Sequence, residues 1–383
     1  MSKLENDPRY EPKALVRSEQ SALTLLHSNN KKNKHKQQGG GYREDDEIDD
    51  PQLSSCPLEH ILIADISSPT FVETTSKIPG LAAAASGEGG DGGSSSSGIE
   101  AMIICTSAVP QIQKRSLVKM ALKAPWNFIR RRPLVDFRSL TFKWKHNGYP
   151  EMVDYKGQIS QFKLAKALGI PHVVLVSSMG VTDPNNFLNS VGKNNKKKRK
   201  KKRRKDDPAA ADSDNNEDDV GNGDILIWKR RAERYLATES GIESYTIIHP
   251  GGLIDGPGRT TISRNDDDEG QEEFVFGVDD NLYNQTGIIR QTRISREDLA
   301  DLCIAALSVG KDRKMSFDCI TRPVAGPSAS NNKKNEDGGR GEVGKSDSPA
   351  SRASSRSSSG KSVAEEALQQ FFEESKTSDY AMR

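Results

Sequence analysis

Residues 221–258 read GNGDILIWKRRAERYLATESGIESYTIIHPGGLIDGPG, and this stretch decides the fold. Its first half has the spacing of an amphipathic helix. Apolar residues recur at i, i+3 and i+4 and charged residues lie opposite them: Ala232, Tyr235 and Leu236 against Lys229, Arg230 and Glu233. Gly241 follows as a helix stop signal. The pattern predicts a helix with one face in the core and a charged face opposite it.

The second half of the stretch predicts a buried strand and a turn. Tyr245-Thr246-Ile247-Ile248 is a run of β-forming residues, and His249-Pro250-Gly251-Gly252 ends it. A helix that leads into such a strand is half of a βαβ unit. In open α/β sheets the ligand crevice lies at the carboxyl ends of the strands. We therefore expect a ligand near residues 250–252.

Further strands and helices alternate along the chain. Strand patterns occur at 13–18, 60–66, 99–107, 172–178 and 315–320, and helix patterns occur at 149–168 and from Ser295 onward. Ser295 and Asp298 have the spacing of a capping box. The sequence thus predicts an α/β fold with a doubly wound parallel sheet.

Composition narrows the class of protein. The 383 residues carry a formal net charge of +2 and only 33% hydrophobic residues, and low-complexity tracts account for much of this dilution. The four cysteines lack metal-ligand spacing, so no metal site and a reducing, intracellular compartment are expected. Because no apolar run is long enough for a membrane span, we expect a soluble protein with no membrane partner. Either the cytoplasm or a plastid fits, and the nucleus fits less well.

The order of these motifs resembles the atypical short-chain dehydrogenase/reductases, in particular the plant-type NAD(P)-binding Rossmann-fold proteins of the NmrA-like group. The resemblance covers 13–324 with interruptions, and it is carried by the helix, strand and turn of 229–253. It implies NADP(H) as cofactor, with NAD(H) as the alternative, and an NADPH-dependent oxidoreductase acting on a small substrate. The alternative hypothesis is a catalytically silent NADP(H)-sensing or scaffold protein. The resemblance identifies neither the substrate nor the oligomeric state.

Several cofactor-binding residues are implied by the resemblance. Arg17, at the end of the second strand of that fold, would meet the 2′-phosphate of NADP, unless it is a solvated surface arginine. Asp65 would lie near the adenine, or it merely caps the next segment. The other implied contacts are the loop Thr106, Ser107 and Ala108, the strand-end Ser177, the helical Lys229, and the turn Pro250, Gly251 and Gly252.

Two of the residues are implied to be catalytic. Ser178, beside Met179 and Gly180 at a strand end, would polarise the substrate, although serines at such a junction also satisfy backbone groups. Lys229 would hold the nicotinamide ribose, or it is a solvated helix lysine. Short-chain dehydrogenases place a tyrosine four residues before this lysine, whereas Ile225 stands there. The usual proton donor is therefore missing from its usual position.

The remaining segments are expected to be insertions or tails. Gly87, Gly89 and Gly92 satisfy G-x-G-x-x-G, but they follow an alanine run and precede a strand, so 82–98 is interpreted as a linker. Disordered insertions are also expected at 28–55 and 193–220, with a partly ordered loop over the site at 111–148. The basic run 193–205 suggests a third, weaker reading, a nucleic-acid-associated protein. A linker at 325–361 should precede a helix within 362–383.

The predicted fold lacks its opening strand and glycine-rich turn. In the 3-2-1-4-5-6 strand order the first strand lies between the second and fourth strands. The pattern at 13–18 corresponds to the second strand, so an N-terminally incomplete Rossmann-like sheet is expected. Without that strand, backbone groups of its two neighbours would lack partners.

Overall fold

A computed structural model describes residues 4, 9–22, 61–78, 81, 98–130, 142–144, 148–191, 223–258, 260, 272–282, 293–324 and 361–374. The expected insertions 28–55 and 193–220, and nearly all of 82–98 and 325–361, lie outside these residues. The strands are β1 (Ala14–Val16), β2 (Ile61–Ile63), β3 (Ala101–Ile104), β4 (Gln111–Ile112), β5 (Phe142–Lys143), β6 (His172–Val176), β7 (Ser244–Pro250), β8 (Gly252–Ile254), β9 (Glu272–Gly277), β10 (Arg293–Ser295) and β11 (Lys314–Pro323).

In the described part of the chain, α-helices connect or flank these strands. They are α1 (Phe71–Thr75), α2 (Lys114–Ile129), α3 (Gln158–Ala167), α4 (Ile225–Thr238), α5 (Arg296–Val309) and α6 (Val363–Glu374). A π-helical segment, Glu151–Gly157, runs directly into α3, and a short 3₁₀-helix covers Phe187–Ser190. None of the described helices is long and apolar enough to cross a membrane.

The main sheet has seven strands in the order β3-β6-β7-β11-β10-β8, and β9 pairs with β11. Strands β3, β6, β7 and β11 are parallel neighbours, and their register pairs Val173 with Tyr245 and Ile247 with Ser316. Strands β9 and β10 run antiparallel to β11. The sheet is therefore mostly parallel, as predicted.

Helices cover both faces of the sheet. Alternate residues along a strand point to opposite faces. Val173 and Leu175 of β6 join one core with Phe162 of α3 and Leu236 of α4. Val174 and Ile248 face the other core, which α5 and α6 supply with Leu302, Phe372 and their neighbours. The doubly wound, Rossmann-like α/β fold predicted from the sequence is confirmed.

Strands β1 and β2 form a separate, parallel two-stranded sheet. Leu15 and Leu62 pack against the core of the α3–α4 face. Strand β3 pairs with β6 on one side, and no described strand pairs with its other edge. Among the described strands, the pairing is therefore interrupted between β1 and β3. This is the position at which the sequence predicts a missing partner strand.

Three parts of the chain differ from expectation. The segment 111–148, expected as a loop, contains the sixteen-residue helix α2. Strand β7 continues through His249 and Pro250, because both stay in register with β11. Helix α6, expected as an appended tail, packs Leu368 and Phe372 into the core of the α5 face. Glu365 of α6 also accepts hydrogen bonds from Arg9 at 3.1 Å and from Ser308 at 2.8 Å.

Candidate functional site

The predicted strand-end residues meet at one edge of the sheet, because β3, β6 and β7 are parallel neighbours. The backbone N–H of Ser177 donates to Ile248 at 2.8 Å, and that of Met179 donates to Pro250 at 3.1 Å. Beyond β7, the N–H of Gly251 donates to Cys319 of β11 at 3.0 Å. The serine segment and the Pro250–Gly252 turn are therefore tied together at the position where the sequence predicts a ligand.

The loop after β3 is held by the helix beneath it. The side-chain amide of Gln158 donates to the carbonyl of Thr106 at 3.1 Å, and that of Gln161 donates to the Thr106 hydroxyl at 3.0 Å. The N–H of Ala108 donates to Oδ2 of Asp154 at 3.1 Å. Asp154, Gln158 and Gln161 lie at i, i+4 and i+7, so a polar stripe in the sequence could have revealed this anchor. Ser107, between the fixed residues, is exposed.

Lys229 is not the solvated helix lysine of the alternative interpretation. Its side chain is only 6% exposed, and its Nζ lies 2.9 Å from Oδ1 of the fully buried Asp154. The amphipathic pattern assumed a single contact face for α4, whereas the segment Glu151–Gly157 covers a second face of that helix. A single carboxylate, Asp154, thus joins α4 to the loop after β3.

Glu233, one turn beyond Lys229 on the face that the helix pattern places opposite the apolar residues, is fully buried. The hydroxyl of Ser177 donates to its Oε1, and Nε2 of His249 lies 3.1 Å from the same oxygen. Arg230 donates to Oε2 at 3.1 Å. This cluster of Glu233, Ser177 and His249 was not predicted from the sequence. The residue that could have indicated it is His249, because it is titratable and follows an apolar strand run.

The titration of the pair follows from its burial and charge. Desolvation alone would lower the pKa of His249, but the adjacent Glu233 carboxylate outweighs burial and raises that pKa. Desolvation would likewise raise the pKa of Glu233, but the charge of His249 and the hydrogen bonds from His249 and Ser177 lower it. Both partners are therefore stabilised in their charged forms, as a buried ion pair with hydrogen bonds requires.

Two aspartates complete the cluster. Asp318 of β11 pairs in register with His249, and its Oδ1 lies 3.6 Å from Nδ1 of that ring. Asp280, whose φ of 57° is left-handed, accepts from the N–H of Gly180 at 2.5 Å and from that of Thr182 at 3.0 Å. This carboxylate fixes the loop that follows Ser178.

We expect Asp318→Asn to flatten the pH dependence of stability. Burial raises the pKa of Asp318 from 3.8 to about 7, so the folded state binds a proton that the unfolded chain releases. Stability is therefore lost as the pH rises from about 4 to about 7. At about 1.36 kcal/mol per pKa unit, a rise of about three units corresponds to at most about 4 kcal/mol of stability, and the opposing attraction of His249 is already included in that rise. Urea unfolding at pH 5 and pH 8 measures the difference. An unchanged pH slope in the variant would contradict this reading of Asp318.

Ser177 and Ser178 have different surroundings. The Ser177 hydroxyl is buried and directed at Glu233. Ser178 is half-buried, and its hydroxyl donates only to the neighbouring carbonyl of Met179 at 3.2 Å. Ser178 is thus the serine whose hydroxyl can turn toward a ligand without leaving a buried carboxylate unsatisfied.

Arg17 and Asp65 lie at the carboxyl ends of β1 and β2 and contact each other. Nε of Arg17 is 3.2 Å from Oδ1 of Asp65, and both side chains are nearly half exposed. Asp65 also accepts from the N–H and hydroxyl of Ser67, so the predicted capping contact is present. Burial would raise the pKa of Asp65, but the hydrogen bonds from Ser67 and the charge of Arg17 lower it. The next residue, Ile66, packs with Ala108, which connects this pair to the loop after β3.

No cluster of His, Cys, Asp or Glu that could hold a metal occurs among the residues of the described ranges. Three cysteine thiols are free there: Cys303 and Cys319 are buried, and Cys105, directly after β3, is exposed.

Comparison with known proteins agrees with this geometry. Residues 144–309 match a family model described as NAD(P)H-binding. The chain is similar to a sanguinarine reductase of Eschscholzia californica, with 32% identity over 59% of this chain and 66% of that protein. It is also similar to an uncharacterized chloroplastic protein of Arabidopsis thaliana, with 34% identity over 59% of this chain and 50% of that protein. The chain thus spans about half to two thirds of the length of these relatives.

Among solved structures, the anaerobillin reductase ChuY of Escherichia coli O157:H7 aligns at 14% identity and a TM-score of 0.35, over 81% of this chain and 84% of that one. The family match places residues of β6, α4, β7 and α5 within an NAD(P)H-binding sequence. The resemblance to NAD(P)H-binding, reductase-type proteins is therefore confirmed.

Proposed function

We propose that this chain, with its NAD(P)H-binding segment at 144–309, is an NADPH-dependent reductase of a small carbonyl or related substrate. The observation that carries the proposal is the convergence of three strand-end segments on one sheet edge. Thr106–Ala108, Ser177–Ser178 and Pro250–Gly252 lie side by side there, and Lys229 contacts the same loop through Asp154. This edge is where open α/β sheets bind ligands.

The exposed groups at this edge fit a nucleotide. Ser107 and Gly252 are exposed and Ser178 is half-buried, whereas the residues that hold them are buried. Such a site presents hydroxyls and backbone groups from a rigid base, which favours binding with little loss of conformational freedom. At the far end, Arg17 supplies a guanidinium for a phosphate, and Asp65 holds its orientation.

Bound NADPH would supply the hydride, and the residues of the chain have the other tasks. Ser178 would polarise the substrate carbonyl through its hydroxyl. Ser177 cannot take this role, because its hydroxyl already donates to Glu233. The Lys229 ammonium is held near this edge by its ion pair with Asp154, and its N–H donors would serve a ribose. The turn at Pro250–Gly252 would face the nicotinamide.

A catalytically silent NADP(H)-sensing or scaffold protein is the second candidate, and two observations favour it. Ile225 occupies the position of the usual tyrosine, and the Lys229 side chain is 6% exposed. Steady NADPH consumption with a panel of carbonyl compounds separates the two candidates. Turnover with any of them would exclude the silent protein. Measurable NADPH binding with no turnover across the panel would exclude the reductase.

The compartment and the third candidate are also proposals. The cytoplasm and the plastid both fit the chain, and the chloroplastic Arabidopsis relative supports the plastid. The basic run 193–205, the basis of the nucleic-acid reading, lies outside the described residues.

We expect NADPH to raise the thermal stability of the chain more than NADH does. A ligand at about a hundred times its dissociation constant stabilises the folded state by roughly 2.7 kcal/mol. In Arg17→Ala the NADPH affinity should fall by roughly tenfold or more, since a charge-assisted contact to phosphate is lost. The affinity for NADH, which lacks the 2′-phosphate, should stay unchanged. The exposed Arg234→Ala on α4 is the matched control.

A shift with neither cofactor would overturn the proposed function. Equal shifts with NADPH and NADH would leave a nucleotide site but remove Arg17 as the residue that selects the phosphate.

A further inference from the structure

Helix α2 presents an apolar stripe to solvent. Val118, Leu122 and Trp126 recur at i, i+4 and i+8, and they are 58%, 75% and 57% exposed. Across the described residues, six of the ten exposed large apolar side chains lie between 109 and 126: Val109, Ile112, Leu117, Val118, Leu122 and Trp126. Exposed apolar groups scattered singly need no explanation, but a contiguous patch marks an interaction surface.

The same segment carries charge of a single sign. From Gln111 to Val135 the sequence contains seven basic residues and no Asp or Glu: Lys114, Arg115, Lys119, Lys123, Arg130, Arg131 and Arg132. The whole chain, by contrast, is nearly balanced, with 56 basic and 54 acidic residues. The guanidinium of Arg130 lies 4.8 Å from the ring centre of Trp126, so a cation directly adjoins the apolar stripe.

No described element packs extensively against α2. Near the start of the helix, Ser116 is buried and its hydroxyl donates to the carbonyl of Gln113. A helix of about this length is marginal in water by itself. Pro125 weakens this one further, because it removes a backbone hydrogen bond within the helix. An apolar surface that covers the stripe would supply the missing stabilisation.

We infer that α2 docks the protein on an anionic lipid surface, with Val118, Leu122 and Trp126 in the headgroup region and Lys114, Arg115 and Arg130 on acidic headgroups. A basic helix with a Trp- and Leu-bearing face is the type that lies in a membrane interface. Each basic residue near such a surface adds to the attraction. The sequence-based expectation of no membrane partner rested on the lack of a segment long enough to span a membrane. Docking at the membrane interface needs no spanning helix, so it is a separate question.

Two other kinds of partner fit the observations less well. A nucleic acid would engage the basic residues through phosphate charge, but it would leave Val118 and Leu122 in water. A stable protein interface is depleted of charged residues at its core, whereas this segment carries seven basic residues and no acidic one. A flat bilayer interface accommodates a single stripe with flanking cations.

The inference is tested by adding the full-length protein to phosphatidylcholine vesicles with and without phosphatidylserine, with flotation and tryptophan fluorescence as readouts. We expect binding to the phosphatidylserine vesicles, lost at high salt, with a blue shift from Trp126. The chain also contains the buried Trp144 and the half-buried Trp228, so the shift is assigned to Trp126 by its absence in a variant that lacks Trp126. Circular dichroism should show unchanged or increased helix on binding.

The double variant Leu122→Ala/Trp126→Ala should weaken binding by roughly tenfold or more, since much of the apolar stripe is removed. Phe187→Ala, which removes a 50% exposed aromatic from another element, is the matched control and should bind like the parent. An unchanged thermal unfolding temperature in both variants shows that the body of the protein is intact.

Three results would overturn the inference. They are no flotation with either vesicle, equal binding to vesicles with and without phosphatidylserine, and undiminished binding by the double variant. Salt-sensitive binding of duplex DNA in place of the vesicles would assign α2 to nucleic acid instead.

Discussion

Replacing Lys229 by Met should lower the free energy of unfolding by about 3–5 kcal/mol, because the change leaves Asp154 as a buried carboxylate without its cation. Asp154 is fully buried, and it also accepts the hydrogen bond from Ala108 that anchors the loop after β3. Urea unfolding followed by circular dichroism measures the loss. The reduced stability should be accompanied by weaker NADPH binding, since the loop at the proposed site loses its anchor.

The second substitution Asp154→Asn distinguishes this explanation from a simple loss of packing. With no charge left at either position, Lys229→Met/Asp154→Asn should recover most of the stability, and the introduced amide keeps an oxygen that can accept from the Ala108 N–H. Arg234→Met, an exposed position on the same helix, should change stability by no more than about 0.5 kcal/mol. If the double variant is as unstable as Lys229→Met, the cost does not come from an unpaired charge.

Replacing Glu233 by Gln should also cost about 3–5 kcal/mol, because three groups converge on this carboxylate. His249, at 1% side-chain exposure, cannot recover its charge stabilisation from water, whereas Arg230 is 17% exposed and can do so in part. The amide also offers one acceptor where the carboxylate offers two. Ser177 should then lose its fixed orientation, and any NADPH turnover should fall with it.

Glu239→Gln is the matched control for this change, since Glu239 lies just beyond the same helix and is exposed. Its effect should stay within about 0.5 kcal/mol. A Glu233→Gln variant with the stability of the parent would mean that the cluster of Glu233, His249 and Ser177 does not stabilise the fold.

The sequence was sufficient for the architecture because the strands of this fold carry their own signal. The runs at 172–178 and 245–248 are apolar enough to be buried on both faces, and glycine or proline ends them. The strand-end residues could therefore be assigned to one sheet edge, where the structure places them. Periodicity and turn chemistry are local, so one chain suffices to detect them.

The burial of Lys229 and Glu233 could not be predicted in the same way. Periodicity separates an apolar from a polar face, but it does not report a second element that covers the polar face. Here Glu151–Gly157 lies against α4. Lys229 pairs with Asp154, which is 75 positions earlier in the sequence, and Glu233 pairs with His249, which is 16 positions later. Polar residues paired over such separations are specified by tertiary structure, and a charged residue on a helix otherwise indicates solvent.

Because β1 and β2 form a separate sheet, the two ends of the proposed cofactor site differ in local stability. Arg17 and Asp65 stand on strands of three residues each, which share hydrogen bonds with each other but not with the seven-stranded sheet. Ser177, Lys229 and Pro250 are buried, and Ser177 and Pro250 adjoin the seven-stranded sheet. Small units with few backbone bonds open at a fraction of the global unfolding free energy. A dinucleotide across this site would therefore be released from its adenosine end first, and its residence time would be set by sub-global opening of 61–78 while the nicotinamide half stays in place.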